Sequence, residues 1–154
     1  MNGKGMSSIV KTVALVMVVP ITVFGLYIIS HGHLTPGGGF PGGAVIASLA
    51  ALLVVAFGSE IAKKLFSKNA LSLLESVGLV SFALLAFMGL GSSFFRNTLV
   101  NSGGLFGTAV SFGSNPGFVN TAGLIPLMNF AVGLEVLAAI SAIILVMYAV
   151  EVKT

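Results

Sequence analysis

The feature that most constrains this chain is a long stretch without charge. Residues 12–59, between Lys11 and Glu60, carry no formal charge. A helix needs roughly 20 apolar residues to cross a bilayer core of about 30 Å, so this stretch can hold two membrane helices and a turn. Only 7% of the 154 residues are charged and 56% are hydrophobic, whereas a soluble domain carries about 25% charged residues. The sequence therefore excludes an ordinary soluble domain.

Charge spacing along the whole chain predicts an all-α integral membrane protein with four transmembrane helices in a single domain, residues 1–154. The expected helices are 8–30, 42–64, 71–90 and 124–150. Glycine-rich outer connections are expected at 31–41 and 91–123. The second connection is either a re-entrant segment or, as we favour, an outer loop that packs on neighbouring subunits.

The basic residues predict the orientation of these helices. Six lysines fall on one side of the predicted spans, at positions 4, 11, 63, 64, 68 and 153, and the opposite side has only Arg96. Positive charge concentrates on the cytoplasmic side of membrane proteins. We therefore expect cytoplasmic N and C termini and a multi-pass location in the cell membrane.

The missing residue types exclude several functions. The chain has no cysteine, which removes disulfides, thiolate nucleophiles and cysteine-ligated clusters. It has no aspartate, so glutamates at 60, 75, 135 and 151 are its only side-chain carboxylates. The basic residues are too few and too scattered to neutralise a phosphate backbone, which excludes a nucleic-acid partner. We expect no catalytic residue in this chain.

Glu135 is the carboxylate predicted to lie deepest in the membrane. Residues 136–150 are uncharged, which places Glu135 roughly 20 Å from the inner end of helix four, near the bilayer middle. Such a carboxylate is costly and normally faces other helices or an aqueous path. We expect either a protonatable relay or cation ligand, or a neutral side chain hydrogen-bonded to a partner helix. Small residues on its face favour close helix packing: Ala131, Ala138, Ala139 and Ala142.

Two more polar residues lie within predicted helices and complete the candidates for ion translocation. Glu75, about one turn inside helix three, either extends an ion path or, as slightly favoured, reaches the cytoplasmic interface and pairs with a lysine. Asn129 in helix four either offers an oxygen to a transient cation or, the favoured interpretation, hydrogen-bonds an adjacent helix.

The first outward connection holds the densest motif, HGHLTPGGGFPGG from His31 to Gly43. Glycine permits positive φ and close backbone approach, and proline fixes φ, so the motif predicts a compact turn between two helices. The motif lacks the lysine of a Walker phosphate-binding loop. The free N–H groups at the start of helix two could attract an anion, but by themselves they are only weak evidence for an anion-binding site. Two histidines without a nearby carboxylate make a poor metal site, so we expect no metal here.

A family resemblance rests on two motifs. The run Gly32-His33-Leu34-Thr35-Pro36-Gly37-Gly38-Gly39-Phe40-Pro41-Gly42-Gly43 closely resembles the G-H-x-x-P-G-G-G-F-x-G-G signature of MrpB (MnhB) subunits, small four-helix subunits of Mrp-type Na⁺/H⁺ antiporters. Residues 129–134, NFAVGL, occupy the place of the family's D-x-G-V-x-L run. Asn129 replaces the usual aspartate and Ala131 the glycine, while Glu135 stands where family members are usually apolar.

The resemblance implies a non-catalytic accessory subunit that binds no cofactor and works with larger Mrp-like subunits to exchange Na⁺ for H⁺. Related copies occur in membrane-bound hydrogenase and sulfur reductase complexes. The departures at positions 129 and 135, together with Glu75, favour such a parent complex over a stand-alone antiporter. Two roles stay open. The chain contributes to the ion path through Glu135, or it is a structural scaffold docked through its glycine-rich turn. A small self-assembling channel is a third, less favoured hypothesis.

Overall fold

The computed structural model describes residues 6–58, 64, 67–89, 91, 93–111 and 113–151, and its regular structure there is entirely helical. Four long helices follow one another: α1 (Ser8–Ser30), α2 (Gly39–Phe57), α3 (Lys68–Phe87) and α4 (Leu124–Glu151). All four are long and apolar enough to span a membrane. The prediction of an all-α protein with four membrane helices is confirmed.

Helices α2 and α3 differ in their ends from the predicted ranges by three residues or more, and α4 ends one residue later than predicted, at Glu151. Helix α2 begins at Gly39 rather than Gly42, because Gly38 is its N-cap with a φ of 127° and Pro41 falls in the first turn, where a missing N–H costs little. It ends at Phe57 rather than Lys64, because Gly58 takes a φ of 83° and terminates it. The predicted extension through Glu60 and Lys63 lies outside the described residues.

Helix α3 begins three residues before the predicted Leu71. The Oγ of Ser67 accepts a hydrogen bond from the backbone N–H of Ala70 at 3.2 Å, which satisfies one of the free donors at the start of the helix. The helix ends at Phe87. Met88 is its C-cap, so the helix stops short of the predicted Leu90, which itself lies outside the described residues.

The four helices pack as a row in the order α1, α2, α4, α3. Helix α4 packs along both α2 and α3, α1 packs along α2, and α1 meets α4 only briefly. A glycine stands at each contact: a Cβ on Gly42 would lie 2.7 Å from the carbonyl oxygen of Gly25, and one on Gly43 would lie 2.6 Å from that of Gly133. Glycine therefore lets these backbones approach closely, as is common for helices in lipid.

Asparagine side chains organise the long connection between α3 and α4. Asn97 accepts a hydrogen bond from the N–H of Leu124 at 2.9 Å and so caps α4. Asn115 accepts from the N–H groups of Gly117 and Phe118, and Asn120 accepts from the N–H of Phe106 at 2.6 Å. No helix interrupts the described part of this connection. Its backbone groups are held by these side chains together with hydrogen bonds between loop backbone groups, such as the one from the N–H of Thr108 to the carbonyl oxygen of Asn120 at 3.0 Å.

Candidate functional site

The two motifs that carry the family resemblance pack directly against each other. A Cβ on Gly39, at the start of α2, would overlap the carbonyl oxygen of Asn129 and lie 2.8 Å from the Cβ of Val132. Gly43, one turn later, meets the backbone of Gly133 in the same way. The glycines of the loop motif therefore let α2 lie backbone to backbone along the 129–136 segment of α4.

The carboxamide of Asn129 fills a notch between two glycines of the loop. Its Nδ2 would lie 2.7 Å from a Cβ on Gly32, and its Oδ1 3.4 Å from a Cβ on Gly38. That Nδ2 is buried and has no hydrogen-bond partner in the described part of the chain. Asn129 thus packs on the loop, but the interhelical hydrogen bond expected for its amide is not formed by the described residues.

His33 joins the loop to the long outer connection. Both ring nitrogens are buried without a hydrogen-bond partner among the described residues. Burial is the main cause that lowers the pKa of His33 below 6.5, and His31 acts in the same direction. The nearby backbone groups of Val119 and Phe118 oppose this shift without reversing it. The imidazole therefore favours its neutral form at neutral pH.

Several other loop residues are either exposed or packed on α1. Pro36, Gly37 and Phe40 are exposed, Phe40 at 63%. The ring of His31 stacks on Tyr27 with centroids 4.1 Å apart, and its Nδ1 lies 3.2 Å from the carbonyl oxygen of Tyr27. Within the described residues, no three metal-ligating side chains come together.

Glu135 lies at the contact between α3 and α4. A Cβ on Gly78 of α3 would lie 2.9 Å from the Cβ and backbone nitrogen of Glu135 and 2.8 Å from the carbonyl oxygen of Ala131. Glu135 is half-buried. The predicted close packing on its small-residue face therefore takes place with α3 of the same chain.

The structure separates the predicted ion-translocation residues into two places. Glu75 is half-buried on α3, one turn before Gly78, and so lies near Glu135 in the α3–α4 pair. Asn129 lies instead on the side of α4 that packs against α2. The outer notch and the α3–α4 interface are therefore two distinct features.

Sequence reasoning missed Ser141. Its side chain is 1% exposed, and its Oγ has no hydrogen-bond partner among the described residues. A serine in a membrane helix usually donates to the carbonyl four residues earlier, so its sequence context carries no sign of an unpaired hydroxyl. Sequence reasoning also did not identify Gly78 as a contact between α3 and α4, although a Cβ there would lie 2.8 Å from the carbonyl oxygen of Ala131.

These features define a small multi-pass membrane protein built on glycine-mediated helix contacts. A family model described as "Domain related to MnhB subunit of Na+/H+ antiporter" matches residues 9–142. The chain belongs to this MnhB-related family.

Two relatives share parts of the sequence. An uncharacterised protein of Methanocaldococcus jannaschii is 39% identical over 136 residues, which cover 86% of this chain and 49% of that protein. A Staphylococcus saprophyticus protein named "Putative antiporter subunit mnhB2" is 43% identical over 49 residues, which cover 32% of this chain and 35% of that protein. The chain thus spans about half the length of its archaeal relative.

Proposed function

We propose that this chain is a non-catalytic accessory subunit of a multisubunit Na⁺/H⁺ antiporter module in the cell membrane, and that Glu135 forms part of the ion path. Membership of the MnhB-related family supports the first part. The single observation that carries the second part is the position of Glu135, a half-buried carboxylate opposite Gly78. A group of this kind within a membrane helix typically marks an ion or proton route.

Glu135→Gln tests the ion path. The substitution keeps the size and hydrogen-bonding capacity of the side chain but removes its proton-accepting oxygen, so the complex should assemble normally and lose Na⁺-dependent H⁺ exchange. Exchange is measured in membrane vesicles with a fluorescent pH probe. Lys68→Gln is the matched control, because it removes a charge from an exposed position of the same helix pair. An assembled Glu135→Gln complex with full exchange would contradict the conducting role.

The scaffold role predicts the opposite pattern. Gly38 has a φ of 127° and lies against Asn129, so Gly38→Val should distort the loop and release the chain from its partners. Gly91→Val is the control, since nothing lies within 4 Å of a Cβ at Gly91. If Gly38→Val dissociates the complex while Glu135→Gln keeps full exchange, the chain is a scaffold and does not conduct ions.

The departures at Asn129 and Glu135 favour a parent complex of the hydrogenase or sulfur reductase type over a stand-alone antiporter. Purification of the tagged chain in mild detergent, followed by mass spectrometry of its partners, tests this choice. Hydrogenase or sulfur reductase subunits are the expected result. Antiporter subunits alone would point to a secondary exchanger, and a chain without partners would overturn the proposed function.

A further inference from the structure

The α3–α4 pair has two different faces. One carries a shallow apolar groove lined by Ser81, Leu84 and Leu85 of α3 and by Phe130, Ala131 and Leu134 of α4. The other carries Glu75 and Leu79 of α3 with Glu135 and Ala139 of α4. We call these last four residues the carboxylate face.

Helix geometry places Glu75 on the side of the α3–α4 contact away from the groove, and Glu135 at the contact itself, turned away from Leu134 of the groove. Successive residues turn by about 100° around an α-helix. Gly78 points at α4, so Ser81, three residues later, and Glu75, three residues earlier, lie on opposite sides of the contact. On α4, Leu134 lines the groove. Glu135 is the next residue and is therefore rotated about 100° around the helix from Leu134. Both carboxylates are therefore turned away from the groove.

The two carboxylates also lie at similar depth. Gly78 lies opposite the turn from Ala131 to Glu135, and Glu75 lies only about 4.5 Å nearer the Lys68 end of α3. Of the described lysines, Lys11 lies in the first turn of α1, Lys68 begins α3 and Lys64 lies between α2 and α3. No ion pair joins either glutamate to another described residue. The carboxylate face thus combines half-buried acids with an exposed apolar side chain, Leu79, at 51% exposure.

We propose that the carboxylate face docks a transmembrane helix of another subunit, and that this helix carries a lysine or arginine at the depth of Glu135. The proposal rests on the proposed function, because it requires partner subunits in the same membrane. A buried cation opposite the two acids compensates their charge where water cannot. Ala139 leaves room for the partner backbone to approach α4.

Other occupants fit this face less well. A second copy of the chain docked through the same face would bring glutamates against glutamates, which repel. Acyl chains would leave both carboxyl groups facing hydrocarbon, where neither charge nor hydrogen-bonding capacity is satisfied. A partner helix with a basic residue avoids the repulsion between glutamates and also supplies a charge and hydrogen-bond donors for the carboxyl groups.

Photocrosslinking from two leucines of α3 tests the docking. A photoreactive residue at Leu79 reports on the carboxylate face, and one at Leu84, exposed at 63%, reports on the groove. Both are introduced into cells that express the complete complex, and the linked peptides are identified by mass spectrometry. We expect the Leu79 probe to link to a membrane segment of another subunit within about one helical turn of a lysine or arginine, and the Leu84 probe not to link to that segment.

Charge variants then test the pairing itself. Glu135→Lys should abolish the Leu79 crosslink, and an acidic substitution of the identified basic residue should restore it. If the Leu84 probe forms the same crosslinks in each variant as in the unchanged chain, the variants are folded.

Three results would overturn the docking proposal: a linked segment without a basic residue, a link to a second copy of this chain, or a link to lipid alone. The last result in a complex that purifies intact would leave the proposed function standing. A chain that purifies without other subunits would overturn both.

Discussion

Three side chains bury polar atoms for which the described residues supply no hydrogen-bond partner: His33, Asn129 and Ser141. Leaving a buried polar atom unpaired costs about 1–3 kcal/mol. His33 lies in the glycine loop, and Asn129 packs against that loop. The unpaired polar atoms of both residues therefore destabilise the region where two helices meet the outer connection. The stability of the loop's contacts should therefore depend on protonation or substitution of these single residues.

His33 should make the contact between the loop and the 115–121 segment depend on pH. Its pKa in the folded chain is lowered below 6.5, so the detached loop binds a proton more readily than the packed one does. The contact is fully stable above pH 6.5 and weakens as the pH falls below that value. Hydrogen exchange of residues 115–121, corrected for intrinsic rates, should speed up between about pH 7.5 and about pH 5.5.

Two substitutions control this prediction. His33→Gln should remove the pH effect. His31→Gln should keep most of it, because burial lowers the pKa of His33 more than His31 does. An equal acid response in the His33→Gln protein would show that another group is responsible.

At the scale of whole helices, the glycines decide which elements meet. Gly25, Gly42, Gly43, Gly78 and Gly133 stand where two helix backbones approach, and a Cβ at any of these positions would come within van der Waals distance of the neighbouring helix. In lipid, apolar side chains gain little from leaving one apolar surface for another. Close backbone contact at glycine therefore replaces the hydrophobic driving force that packs soluble helices.

Gly43→Ala should weaken the α2–α4 contact. The new Cβ would lie 2.6 Å from the carbonyl oxygen of Gly133 and 3.0 Å from the Cβ of Val136, so the helices must separate. Overpacking of this kind costs about 1–3 kcal/mol. The thermal midpoint of the detergent-purified complex should fall, whereas Gly91→Ala, with open space around it, should leave the midpoint unchanged. Equal midpoints for the two variants would show that α2 can shift without loss.

At the scale of the whole molecule, the row of four helices leaves much apolar surface uncovered. Helix α1 alone exposes Ile9, Val16, Val19 and Val23 at more than 60% each. Such a row of exposed apolar side chains on a soluble protein would promote aggregation. In a membrane, lipid or other subunits can cover these side chains. The architecture therefore suits a subunit embedded in a larger assembly, as the proposed function requires.

Cysteine labelling tests the predicted orientation. The chain has no cysteine of its own, so single substitutions at exposed positions report one site each. A membrane-impermeant maleimide added to intact cells should label Ser114→Cys, in the outer connection, and should not label Ser7→Cys or Asn69→Cys. Labelling after cell lysis shows that all three sites are reactive. Labelling of Ser7→Cys in intact cells would reverse the orientation.

Sequence alone determined that the described residues hold four long apolar helices, because the length of an uncharged apolar run and the position of its lysines are local properties. It also identified Glu135 as an intramembrane carboxylate, since a carboxylate far from any helix end stands out against apolar neighbours. The start of α2 was placed three residues late, because a glycine can serve either as N-cap or as a helical residue, and only the φ of Gly38 distinguishes the two.

Tertiary structure decided how these elements share surfaces. The order α1, α2, α4, α3, the insertion of Asn129 between Gly32 and Gly38, and the shared face of Glu75 and Glu135 all depend on which glycines meet which backbones. Residues far apart in sequence come together there through complementary shape, and no single segment encodes that shape. Local polarity determined what enters the membrane, and backbone contact between distant glycines determined which side chains face one another inside it.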